Sequence, residues 1–232
     1  MKLYSNLKKY PLILSLCVFF SWWIILFATS FLWRNITNSY SDYMLGYYLS
    51  TIVVVYLIYL FIIPSLFKIK FKNYYANIGL TINKQSIILS ICFISSITLM
   101  SILRKPMTSI PTGFWLYSLQ PPMVEELLFR GIIPYILFSK YNKKIAFSIS
   151  IILFSCIHDL VGPITMLVAL ILGALFLILR FQCNSIIPCM LVHYIWNSSN
   201  AYAVILCLIT IIIFEIYCFI TRRSMKTIVK SL

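Results

Sequence analysis

Eight stretches of this sequence stay apolar for about the thickness of a lipid bilayer, and no other feature constrains the chain as strongly. They lie at roughly 11–33, 43–66, 86–103, 114–139, 145–161, 163–181, 184–199 and 201–220. A hydrocarbon core gives the backbone no water to pair with, so segments that cross it must close their hydrogen bonds internally, as helices. The expected fold is all-α, a polytopic membrane protein of about eight transmembrane helices in one bundle. Residues 1–232 are expected to form a single transmembrane domain. The composition agrees, because 62% of the 232 residues are hydrophobic and only 10% are charged, well outside the range of a soluble domain. The first run, from Pro11 to Trp33, follows Lys2, Lys8 and Lys9 and is longer than a signal-peptide core. It is expected to stay as an uncleaved anchor. No internal repeat stands out.

The net charge is +14, but the basic residues fall in short clusters between the apolar runs. That pattern marks topology and contact with the headgroups of membrane lipids, and it excludes a nucleic-acid footprint. Eight spans put both termini on one side. On that side lie 15 of the 19 lysines and arginines, counting Arg180 at the end of its span, against Arg34, Arg104 and Lys105 on the other, with Arg130 inside a span. The bias predicts an integral protein of the plasma membrane with both termini in the cytoplasm. The seven cysteines form no C-x-x-C pair and lie mostly in apolar runs, where Cys behaves as a small hydrophobe.

Against this background the stretch "LQPPMVEELLFRGIIPYILF", Leu119 to Phe138, is anomalous. It carries Glu125, Glu126 and Arg130, although the whole chain holds only five acidic residues and two histidines. Both histidines, His158 and His193, also fall within expected spans. Ionisable groups at membrane depth are rare and by default face a functional site in the bundle interior. Glu126 and Arg130 stand four residues apart on one helix face, where an ion pair forms naturally. Glu125 points about 100° away and is less committed to the arginine. The plainer reading, that both glutamates only neutralise Arg130, gives one arginine two carboxylates where one suffices.

His158 follows Phe154 by one turn in "ILFSCIHDL", and His193 and Asn197 share a helix face in "MLVHYIWNSSN". Each alone reads as an interhelical hydrogen-bonding residue. Together with the glutamates they make a carboxylate, two imidazoles and an amide. A carboxylate in apolar surroundings can take a proton from water, imidazoles can orient that water, and an imidazole or amide can stabilise an oxyanion. Such a set suits peptide-bond hydrolysis without a covalent intermediate. No serine has the surroundings of a nucleophile elbow, and no H-E-x-x-H helix is present. Buried Glu and His also build proton relays in transporters, but no matched pair of Gly/Pro-broken helices marks two inverted halves.

Glu125-Glu126-x-x-x-Arg130, with Pro122 before it and Gly131 after it, resembles the E-E-x-x-x-R signature of the CPBP intramembrane proteases, the family of the type II CAAX prenyl endopeptidases and bacterial Abi proteins. Phe154-x-x-x-His158 resembles the second motif of that family and His193-x-x-x-Asn197 the third. Gly173, Arg180 and Pro188 fit the intervening run. The resemblance covers about Pro121 to Asn200, so residues 114–200 are expected to hold the catalytic-motif core; Asp159 is the less usual element. It implies an eight-helix fold around a cavity open to the membrane and an endopeptidase acting on a peptide or lipidated-protein substrate. Glu125 would be the general base and His158 would position water, while His193 and Asn197 would stabilise the oxyanion. Glu126 and Arg130 would keep the site in shape. If a metal such as Zn²⁺ is used, Glu125, His158 and His193 would be its ligands, although a metal-free glutamate mechanism is favoured. A bacteriocin self-immunity protein is the alternative role. Glu125 is expected ~16 Å from the outer end of its span, at 1.5 Å per residue. His158 and Asn197 also fall nearer the outer ends of theirs.

Overall fold

The structure, a computed structural model, describes residues 9–103, 112–158, 161–198 and 201–220. It is all-helical, with no strand among the described residues. In chain order the helices are α1 (Pro11–Ile36), α2 (Tyr40–Tyr56, continued to Leu66), α3 (Phe71–Ile78), α4 (Lys84–Leu103), α5 (Thr112–Glu126, continued to Leu137), α6 (Lys143–Cys156), α7 (Pro163–Cys183), α8 (Ile187–Asn197) and α9 (Ala201–Ile220). All but α3 overlap the eight apolar stretches. Four are long and apolar enough to cross a membrane by length and composition: Pro11–Ile36, Tyr40–Leu66, Pro163–Cys183 and Tyr202–Ile220. Their outer faces are as apolar as their inner ones. Phe27 and Phe31 of α1, for example, are 69% and 72% exposed, as expected of a face that meets lipid.

Local chemistry sets the helix ends. Prolines Pro11, Pro163 and Pro188 sit in the first turns of α1, α7 and α8, where their missing N–H costs nothing. The Asn142 side chain accepts from the Ile145 N–H at 3.0 Å and starts α6. Helix α3 ends on Gly79, which adopts the left-handed φ of +84° that glycine takes without strain.

Two helices change pitch at related sequences. In α2, Leu57–Ile62 winds as a π-helix before Pro64; in α5, Leu127–Ile132 does so before Pro134. The segments read "LIYLFIIP" and "LLFRGIIP", a local likeness the sequence alone did not disclose. A proline cannot donate to the carbonyls four and five residues back, so these carbonyls need other partners. In α2, Tyr74 Oη donates to Tyr59 O at 2.9 Å and Tyr75 Oη to Leu60 O at 3.0 Å. In α5, Ser150 Oγ donates to Phe129 O, and Arg180 Nε donates to Arg130 O at 3.2 Å. The short helix α3 thus seals the break in α2 and also packs on the break in α5. There, a Cβ on Gly131 would come within 2.9 Å of Ile78 O.

A second seam ties the loop after α3 to the turn between α7 and α8. Ile186 N–H donates to Gly79 O at 2.9 Å, Asn83 Nδ2 to Cys183 O at 2.7 Å, and Ser185 Oγ to Thr81 O at 2.7 Å. Lys140 Nζ reaches Lys9 O at 3.2 Å and joins the α5–α6 loop to the start of α1. The pairing of these loops, and of the chain start with the α5–α6 loop, fits the alternation expected from the basic residues. The terminal basic clusters lie outside the described residues.

Candidate active site

Glu125 and Glu126 close the regular part of α5, just before the π segment. Both are buried, at 8% and 0% exposure, in a wall built from Val124, Leu127, Leu128 and Phe129. The structure realises the expected pairing: Arg130 Nε lies 3.2 Å from Glu126 Oε2. That contact is out of line for a hydrogen bond, since Arg130 Nε has no acceptor in hydrogen-bonding geometry. The ion pair is the sounder description, because charge attraction depends on distance far more than on angle. The guanidinium is also sandwiched by rings, 3.9 Å from the centroid of Phe154 and 5.5 Å from that of Phe176. Cation–π contact of this kind is worth up to about 2 kcal/mol where water is excluded. Phe154, the first residue of the F-x-x-x-H pair, therefore acts as a lid on Arg130. Gly173 lets α7 approach it, since a Cβ there would stand 3.1 Å from Phe154 Cδ1.

The other oxygen of Glu126 has a partner that sequence reasoning missed. Glu126 Oε1 lies 2.8 Å from His193 Nδ1, at hydrogen-bond distance. The opposite ring nitrogen, Nε2, faces Glu125 Oε2 at 4.0 Å. Helices α5 and α8 thus meet through a row of three groups: Glu126, the His193 ring and Glu125. Glu125 Oε2 is buried and has no hydrogen-bond partner among the described residues. The carboxylate is held in place without being committed.

His158 stands just beyond the end of α6. Its Nδ1 is 3.0 Å from Phe154 O, and its ring packs on the Phe154 ring with centroids 4.9 Å apart. The same phenyl ring meets His193 edge-on at 6.2 Å. His158 lies within electrostatic range of both His193 and Arg130. Asn197 is the last residue of α8, one turn beyond His193, and its backbone oxygen accepts from Ser118 Oγ at 3.5 Å. The structure therefore brings Glu125, Glu126, Arg130 and His193 into contact. His158 joins them across Phe154, and Asn197 stands a turn further out. Asp159 lies outside the described residues.

The set Glu125, His158 and His193 does not converge as three metal ligands. Among the described residues no three His, Cys, Asp or Glu side chains are grouped to hold a metal ion.

Arg180 is the second buried arginine, at 1% exposure. Besides Arg130 O, it donates to Asn77 O at 2.8 Å and to Asn184 Oδ1 at 3.2 Å, so carbonyl oxygens rather than a carboxylate satisfy it. Its place in the sequence run gave a signal, but only the break at Pro134 explains what it holds.

Residues 107–199 match the family model of the type II CAAX prenyl endopeptidase Rce1-like proteins. The match spans all three motifs and agrees with the resemblance to the CAAX proteases that those motifs carry. No curated protein and no solved structure matched the chain.

Proposed function

We propose that this membrane chain with an Rce1-like domain is an intramembrane endopeptidase that hydrolyses a peptide bond with water activated by Glu125. The reading rests on the one carboxylate of the site that is buried, uncommitted and faced by an imidazole at 4.0 Å. Water attacks the scissile carbonyl carbon as Glu125 takes its proton, and the π electrons of the carbonyl move onto its oxygen. Glu125 then passes that proton to the amide nitrogen as the C–N bond breaks. His158 orients the water, while His193 and Asn197 stabilise the charge on the carbonyl oxygen. Arg130 cannot take the carboxylate away from this task, because Glu126 already occupies it. About eight helices cross the bilayer, with lipids packed on their outer faces. The substrate is a peptide or lipidated protein.

The site lies toward the end of the bundle away from the basic loops. His158 and Asn197 follow or close helices that start at Lys143 and Ile187, near those loops. This favours a substrate segment that enters from within the membrane or its outer half. Glu125→Gln tests the assignment: the variant should insert and fold like the wild type but lose on the order of 10²-fold or more in cleavage rate. Cleavage at the wild-type rate, in detergent with a verified peptide substrate, would remove Glu125 from the reaction.

A further inference from the structure

We infer that Glu126 is a positioning residue that locks His193 in the tautomer protonated at Nδ1, so that Nε2 is the nitrogen presented to Glu125. A carboxylate without a proton can only accept a hydrogen bond. Glu126 forms the ion pair with Arg130 at 3.2 Å, both side chains are buried, and among the described residues no other carboxylate is paired with that arginine. The short 2.8 Å contact of Glu126 Oε1 with His193 Nδ1 therefore needs its hydrogen on the imidazole. Nε2 is then the bare nitrogen of the neutral ring, and it lies 4.0 Å from Glu125 Oε2.

The consequence for chemistry is specific. His193 can donate toward a substrate oxygen only after Nε2 gains a second proton, and the nearest group that exchanges protons with it is Glu125. In the hydrolysis proposed above, His193 would therefore face the substrate oxygen as an imidazolium beside the Glu125 carboxylate. The groups that face the ring are Glu125 and Glu126 from α5, with Phe154 and Phe176 packed on it and His158 within electrostatic range.

This inference deepens the proposed catalytic reading, but its central claim is a tautomer, which can be measured whether or not the protein cleaves anything. The chain has only two histidines, so ¹⁵N-histidine labelling of the full-length protein in detergent gives two rings to assign. A His158→Gln sample leaves His193 alone. The expected spectrum shows Nδ1 of His193 protonated. In Glu126→Gln the amide can donate to Nδ1 instead, and the ring should shift toward the Nε2–H form. With a substrate in hand, that variant should lose kcat on the order of 10²-fold with KM little changed, as expected for a misoriented imidazole. A wild-type His193 found in the Nε2–H form would overturn the inference, even if Glu126→Gln did not fold. So would a Gln variant that keeps Nδ1 protonated. Normal tautomers with no detectable proteolysis would uphold the inference and count against the protease reading instead.

Discussion

At the scale of single residues, the two adjacent glutamates divide the work between them. Periodicity separates them by about 100° around the helix, and the structure turns that angle into different partners: Arg130 and His193 Nδ1 for Glu126, His193 Nε2 for Glu125. Removing Glu126 strands both a buried guanidinium and the imidazole N–H. Breaking a buried pair from one side costs about 3–5 kcal/mol, because the remaining charge has nothing to offset its desolvation. Glu126→Ala should therefore lower thermal stability in detergent clearly, whereas Glu125→Ala should change it little. Equal melting temperatures for Glu126→Ala and the wild type would show that Arg130 is stabilised by the Phe154 and Phe176 rings instead of by the carboxylate. The Glu126–Arg130 pair was legible in the sequence, since i and i+4 spacing fixes it. The Glu126–His193 contact was not, because the two residues are 67 positions apart on different helices and no periodicity relates their faces.

At the scale of elements, apolar length located eight of the nine helices among the described residues, but it passed over α3. That helix is short, and it earns its place by filling gaps in two neighbours rather than by crossing a bilayer. The proline breaks in α2 and α5 were also hidden in uniformly apolar runs. Their meaning emerges only when the freed carbonyls are traced to Tyr74 and Tyr75 in one helix and to Ser150 and Arg180 in the other. The two seals predict different outcomes. Tyr74→Phe leaves a buried carbonyl of α2 unpaired at a cost of about 1–3 kcal/mol, on a helix that carries none of the proposed site residues. Its melting temperature should fall while activity per folded molecule stays near that of the wild type. Arg180→Met frees the carbonyl of Arg130 itself and detaches Asn77 and Asn184 as well. This variant should lose activity and stability together, measured as specific activity of the folded fraction beside its unfolding curve. Full activity in folded Arg180→Met would show that the π segment keeps its shape without the clamp.

At the scale of the whole molecule, the bundle has two ends, and they differ in charge. The bias of the basic residues predicts an orientation with the α5–α6 loop and both termini inside. The contacts add that the start of α1 meets the α5–α6 loop and that the loop after α3 meets the α7–α8 turn. The opposite end carries the α1–α2 connection, where Trp33 packs so closely on Gly46 that a Cβ there would lie 2.2 Å from its ring. A bundle with an odd number of crossings before α6 could not keep the first pair of contacts on one side. The expected result follows for single reporter cysteines in a protein whose seven native cysteines have been replaced. Ser39→Cys, in the α1–α2 connection, should react with a membrane-impermeant maleimide added to intact cells. Lys144→Cys, exposed at the start of α6, should react only after the membrane is opened. Labelling of Lys144→Cys from outside would invert the map and move Glu125, His158 and His193 toward the cytoplasmic half. A prenylated cytoplasmic tail would then become the natural substrate. Labelling of Ser39→Cys alone would leave a site reached from the membrane's outer half, and a substrate of another kind.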